Sequence, residues 1–136
     1  MGVGDKTPTP IFMNNINHIV DYAYDLCMKI QRQKKHISMI FHKNRLLSVG
    51  GNYFKTHPEA KKIGYAYCEM HSELDAFRKL TIPMRGLKLT LVNVRYNRFR
   101  ELRMSKPCSL CTPWCLEVFD NIYYTDDNGI NKMEKL

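Results

Sequence analysis

The amino-acid sequence predicts an α/β domain with a single sheet. Three observations carry this reading. Apolar residues recur at helical spacing in three separate stretches, alternating or continuously apolar runs fall between and after them, and turn-forming residues punctuate the chain. Helices interleaved with strands are the pattern of a layered domain whose helices cover the faces of a sheet. The 136 residues are the length of one domain, long enough to bury a sizeable core.

The elements follow in order. Residues 12–32, FMNNINHIVDYAYDLCMKIQR, space Ile16, Ile19, Val20, Ala23, Cys27 and Ile30 along one face of a helix, with Asn14 or Asn15 as its cap. HISMIFHKNRLLSVGGNYF predicts two strands. Ile37, Met39 and Phe41 share a face, Lys43-Asn44-Arg45 makes a polar turn, and Gly50-Gly51 ends or bulges the second strand. KTHPEAKKIGYAYCEM is a loop broken by Pro58. HSELDAFRKL returns to a helix, with Met70, Leu74 and Phe77 on one side and Pro83 and Gly86 as its stop. LKLTLVNVRY is a strand, nearly continuous in apolar character through Leu87, Leu89, Leu91 and Val94. NRFRELRMSKP is a turn and a return strand. CSLCTPWCLEVF is a short helix with Pro113 in its first turn, where no amide donor is required. NIYYTDD is a strand, Asp127-Asn128-Gly129 a turn, and INKMEKL a last short strand. Residues 1–10 read as a Pro-containing lead-in and residues 11–136 as one domain.

Composition narrows the function classes. No apolar run approaches the roughly 20 residues of a membrane span. The opening MGVGDKTPTP lacks the layout of a secretion signal, and Lys6 stands where an acylation motif wants Ser or Thr, so a cytoplasmic protein without membrane attachment is expected. Five cysteines with no export signal favour thiols or metal ligands over disulfides. A formal charge of +8 and a pI of about 9.3 attract phosphate, on nucleotides or on nucleic acid; a solvated basic surface has the same composition.

The stretch SKPCSLCTPWC, Ser105 to Cys115, holds Cys108, Cys111 and Cys115. Cys-x-x-Cys by itself serves redox enzymes, zinc knots and iron–sulfur sites. The redox use places the pair after an early strand, and here it comes late. A closed zinc knot needs a fourth ligand, for which Cys115 is the nominee. Upstream, HSELDAF supplies His71, with Glu73 two residues on. An ion held by His71, Cys108 and Cys111 has three protein ligands and one open position, the arrangement of catalytic zinc, with Glu73 beside the bound water as base. Both donor groups are predicted at helix starts, whose positive ends favour thiolates. Cys27 and Cys68 belong to no motif.

His-x-Glu followed later by Pro-Cys-x-x-Cys is the signature of the zinc nucleobase deaminases. On HSE and PCSLC the chain resembles the cytidine deaminase superfamily. The order helix, two strands, HSE helix, strand, PCSLC helix, strand extends the likeness over most of the chain. KTHP, SKPCSLC and YYTDDNG are similar to small deaminases of the cytidine and deoxycytidylate type. Ser72 stands where the family usually has a small residue such as Ala, and Asp75 where deoxycytidylate deaminases commonly have Asn.

The resemblance implies a three-layer domain, a central mixed sheet of about five strands with helices on its faces. It implies Zn²⁺ on His71, Cys108 and Cys111, Glu73 as the catalytic base, and association into a homo-oligomer. The implied reaction is hydrolysis of a cytosine base to uracil in a free nucleoside or nucleotide, with release of ammonia. Asn52 would then hydrogen-bond the sugar or base, and the carbonyls of Ser105 and Lys106 would accept the exocyclic amine. Phe54 and Tyr124 are candidate walls for the pyrimidine, while Lys55 and His57 are candidates for a phosphate. Trp114 would shape the pocket mouth or pack in the core. RYNRFRELR interleaves Arg95, Arg98, Arg100 and Arg103 with Tyr96 and Phe99, a pattern that suits single-stranded nucleic acid or a solvated hairpin. The alternative function is therefore a polynucleotide deaminase on single-stranded DNA or RNA. A zinc-containing binding module without catalysis is the third.

Overall fold

The computed structural model of the chain describes residues 16–29, 35–52 and 71–134. The elements among them are α1 (Ile16–Cys27), β1 (Lys35–His42), β2 (Arg45–Gly51), α2 (Ser72–Arg78), α3 (Ile82–Arg85), β3 (Thr90–Tyr96), β4 (Leu102–Arg103), α4 (Thr112–Val118), β5 (Asn121–Asp126) and β6 (Gly129–Lys132). The strands form one mixed sheet in the order β2-β1-β3-β5-β6, with β4 pairing β3 off that path. Only β3 and β5 run parallel among these strands, and α4 lies on the crossover that such a pair requires.

Strand alternation sorts the core onto two faces. On one, Met39 pairs Val92 and Val92 pairs Tyr123, and this row packs with Ile37, Phe41 and Val94 against Ala23 and Cys27 of α1. On the other, Ile40 pairs Leu91 and Leu91 pairs Ile122, under Leu74 and Ala76 of α2 and Cys115 and Phe119 at α4. The result is three layers, helix on sheet on helix, as expected from the sequence.

The β1–β2 hairpin turns through Lys43, which takes φ of +56°. A register shift after Ile40 carries the pairing from Ser48 to Leu46. Further along β2, Gly50 pairs Ser38 and lies beneath α2. A Cβ at Gly50 would fall on the Ala76 amide nitrogen and the Ser72 carbonyl oxygen, so the absent side chain lets α2 sit directly on the strand. The Ser48 hydroxyl donates to the Ala76 carbonyl at 2.7 Å and Asp75 accepts from the Gly51 amide at 3.1 Å. These bonds fix the helix that carries His71 and Glu73.

Several element boundaries differ from expectation. The described part of the first helix ends at Cys27 and passes into a turn; residues 12–15 and 30–32 lie outside the described residues. Pro83 does not stop the α2 helix, which has already ended at Arg78, but occupies the first turn of the separate helix α3, where its missing amide costs nothing. The return strand β4 is two residues long, because Asn97 closes a turn by accepting from the amides of Phe99 and Glu101, each at 2.9 Å.

Candidate metal centre

His71 is the N-cap residue of α2, in extended conformation, with the helix folding back behind it. The Asp75 amide donates to its carbonyl at 3.0 Å. Cys108 and Cys111 lie on the turn that leads into α4, with Cys111 as its N-cap. The helix starts later than the sequence suggests, and Cys108 sits one turn ahead of it. Thr112 holds that turn closed. Its hydroxyl reaches the carbonyls of Pro107 at 3.0 Å and Cys108 at 2.8 Å, and its amide donates to Cys108 at 2.8 Å.

The two elements bring three donor atoms together. Cys108 Sγ and Cys111 Sγ each lie 3.5 Å from His71 Nδ1, and all three atoms fall within 4.8 Å of one another. One imidazole nitrogen carries at most one hydrogen, so it cannot donate to both sulfurs. A shared cation satisfies all three, and the group is close enough to hold a metal ion. Cys111 is buried, His71 partly so, and Cys108 is exposed, so the cluster meets solvent on the Cys108 side. Hydrogen bonding to Cys111, aided by His71, holds the Cys108 thiol down to about 3 against the opposing effect of burial. The thiolate that a metal needs is thus already favoured. Cys115 and Cys27 are different: burial pushes the Cys115 thiol up, and raises Cys27 to about 12. Neither belongs to the cluster, and Cys115 packs with Phe119 in the core. Cys68 lies outside the described residues.

Glu73 is buried and held by a polar network that the sequence reading missed. Asn93, in the middle of β3, donates through Nδ2 to Glu73 Oε2 and to the Ser105 carbonyl, both at 2.9 Å. The Ser38 hydroxyl donates to Asn93 Oδ1 at 2.6 Å and lies 2.7 Å from the Ser72 hydroxyl. Ser105 is tied in from the far side: its hydroxyl donates to the Asn93 carbonyl at 2.8 Å and its amide to Thr125 at 2.9 Å. Network and cysteine turn therefore share a frame, since Ser105 precedes Pro107-Cys108 by only two residues. A signal existed in the sequence: an amide within the apolar run TLVNV must be partnered if that strand is buried.

The remaining candidates are placed as follows. Asn52 sits just past β2, where its Oδ1 accepts from the His36 amide at 3.0 Å and its own amide donates to the His36 carbonyl at 3.2 Å. The Ser105 carbonyl already has the Asn93 amide on one lone pair. The Lys106 ammonium lies 5.7 Å from the centre of the Tyr124 ring, and Tyr124 pairs Asn93 across β3 and β5. Phe54, Lys55 and His57 lie outside the described residues. Trp114 packs with Phe77 and Phe119 at 5.8 and 6.1 Å, which fits the core role. In the arginine run, Arg95 donates to the Met104 carbonyl at 3.1 Å and Arg103 pairs Glu101 at 2.9 Å. Tyr96 is buried against Tyr24, whereas Phe99 is 66% exposed beneath the Arg98 guanidinium.

The fold and cluster together define a three-layer α/β domain carrying a His-Cys-Cys cluster close enough to hold a metal ion. No family model, curated protein or solved structure matches the chain. Among the described residues no helix is long and apolar enough to cross a membrane.

Proposed function

We propose that the chain is a zinc-dependent hydrolase that deaminates a cytosine base to uracil in a free nucleoside or nucleotide, releasing ammonia. One observation carries the reading: two cysteine sulfurs stand 3.5 Å from one imidazole nitrogen, with a buried carboxylate two residues along. Tetrahedral zinc with Zn–S of about 2.3 Å and Zn–N of about 2.0–2.1 Å has an N···S edge of about 3.5–3.6 Å. Two thiolates and an imidazole also suit zinc over the hard cations that prefer oxygen. The residues thus fit the ion, with His71, Cys108 and Cys111 as its holders. Among the described residues three donors converge, which leaves a fourth position in this reading, where a structural site would be closed.

When bound, zinc supplies Lewis acidity that brings a coordinated water near neutrality in pKa. In this reading Glu73 takes the proton from the attacking water and returns protons to the ring nitrogen and the departing amine. The Ser105 carbonyl retains a second lone pair for the exocyclic amine, and Pro107 fixes the bend that follows it. The ring wall at Tyr124 carries the Lys106 charge over its face. Cysteines outside any disulfide at the site suit a reducing, cytoplasmic setting.

The test is a substrate panel. Cytidine, deoxycytidine, their monophosphates and a single-stranded oligonucleotide are each incubated with zinc-loaded protein, and uracil and ammonia are measured. Uracil from the monomers is expected, with Glu73→Gln retaining zinc but turning over about 10²–10⁴-fold more slowly. Conversion of the oligonucleotide alone would transfer the assignment to a polynucleotide deaminase. Two of the four arginines in that hairpin are engaged within it, which weighs against that outcome. Zinc binding with no product from any substrate would leave a binding module.

A further inference from the structure

We infer that Asn93 is the positioning residue of this site: it pins one oxygen of Glu73, leaves the other to take the proton, and locks the base to the Ser105 carbonyl. The proton-transfer part rests on the deaminase reading; the anchoring part does not.

The hydrogen-bond directions follow from donor and acceptor chemistry. Asn93 Nδ2 faces two acceptors, Glu73 Oε2 and the Ser105 carbonyl, each at 2.9 Å. The opposite amide orientation would set an oxygen against a carboxylate and a carbonyl, so both hydrogens are committed to these partners. Asn93 Oδ1 then requires a donor, and the Ser38 hydroxyl supplies it at 2.6 Å. Ser38 has spent its only hydrogen there, so it accepts from the Ser72 hydroxyl at 2.7 Å. The Ser72 hydrogen is thereby turned away from Glu73 Oε1, which keeps only a 3.4 Å contact with the Ser72 oxygen.

The two carboxylate oxygens are consequently unlike. Oε2 is held by a 2.9 Å bond to a buried amide in the middle of β3. Among the described residues Oε1 keeps only the 3.4 Å contact with the Ser72 hydroxyl, and in the deaminase reading it is the atom to which the proton of the attacking water passes. Asn93, Ser38 and Ser72 are all buried, so an amide without Glu73 or Ser105 would be left unsatisfied at a cost comparable to a lost hydrogen bond. Because one nitrogen bonds both Glu73 and Ser105, a single side chain sets the distance between the base and the candidate amine acceptor.

Two measurements test this. In zinc-free protein labelled with ¹⁵N, the Asn93 side-chain amide is assigned through its contacts with Val92 and Val94. Both hydrogens are expected to exchange slowly. Glu73→Ala should move one of them toward the position of an unbonded amide and leave its geminal partner in place. Two hydrogens unaffected by Glu73→Ala, or exchanging like an exposed Asn, would overturn the anchoring. In zinc-loaded protein, Asn93→Ser should lower kcat about 10²-fold, the penalty of a misplaced catalytic group, with KM within about twofold and zinc retained. An unchanged kcat would overturn the positioning role. If Asn93→Ser does not fold, the amide spectra decide the anchoring. If the parent protein converts no cytosine substrate, the deaminase reading falls and the spectra still decide whether Asn93 holds Glu73.

Discussion

Gly50→Ala is a one-methyl perturbation whose effect can be worked from the geometry. The added Cβ would meet the Ala76 amide nitrogen and the Ser72 carbonyl oxygen, and would lie 2.9 Å from Ala76 Cα. These are backbone atoms, so no rotamer change relieves the overlap. Reaching ordinary contact requires α2 to withdraw by roughly 1 Å in an interior packed as densely as a crystal. Overpacking typically costs about 1–3 kcal/mol, and a clash with helix backbone belongs at the upper end. With m of about 1–3 kcal/mol/M, the urea midpoint should fall by at least about 1 M. The helix carries His71 and Glu73, so zinc affinity should fall with it, and a shift of about 1 Å costs on the order of 10²-fold in turnover. Gly86→Ala is the control: its Cβ would lie 3.6 Å from the Pro83 carbonyl, in a right-handed conformation that Ala adopts readily. It should be neutral, or stabilising by up to about 1 kcal/mol. Equal urea midpoints and zinc affinities for the two variants would refute the close approach of α2 to β2.

Two further outcomes follow from the titrating groups. At pH 7.5 and without metal, iodoacetamide should modify Cys108 well before Cys27, whose thiol burial raises to about 12, or Cys115, which burial also pushes up. Peptide mass spectrometry reads the order, and zinc should protect Cys108; early modification of Cys27 would contradict its burial. His36 lies below its ordinary value chiefly through burial, with Glu73 opposing and Arg95 and His71 adding to the depression. A lowered histidine favours the fold fully above the unfolded value of about 6.5, and this contribution is lost as pH falls from there toward the folded value. Between pH 7.5 and 5.5 the zinc-free parent should therefore lose more urea stability than His36→Gln, and parallel losses would contradict this.

Much of the fold is legible in residue patterns because it rests on local rules. Ile37, Met39 and Phe41 alternate onto the α1 face, and the polar Lys43-Asn44 turn joins β1 to β2. The His-Cys-Cys cluster is legible because His71 and the Cys108–Cys111 pair occupy short motifs at element ends. What is hidden depends on contacts between distant residues. Asn93 reads as one polar residue in an apolar strand, and nothing local shows that Ser38, 55 positions earlier, supplies the donor to its Oδ1. Ser72 reads as a tolerated small residue, although its hydroxyl meets that of Ser38. Pro83 has the same helix-breaking chemistry wherever it stands, and only the early end of α2 at Arg78 converts it into the opening of α3. The arginine run reads as basic residues interleaved with aromatics, and the pairing of β3 with β4 decides that Arg95 and Arg103 bond within the hairpin while Phe99 is exposed.

The proposed function requires a zinc ion with one open coordination position, and X-ray absorption at the zinc edge of freshly purified protein tests it. Two sulfurs at about 2.3 Å and two nitrogen or oxygen neighbours at about 2.0–2.1 Å are expected, with one of the light neighbours exchangeable for a small anion. Three or four sulfurs around the ion, or a full set of protein donors that no anion displaces, would mark a closed structural site and end the deaminase reading.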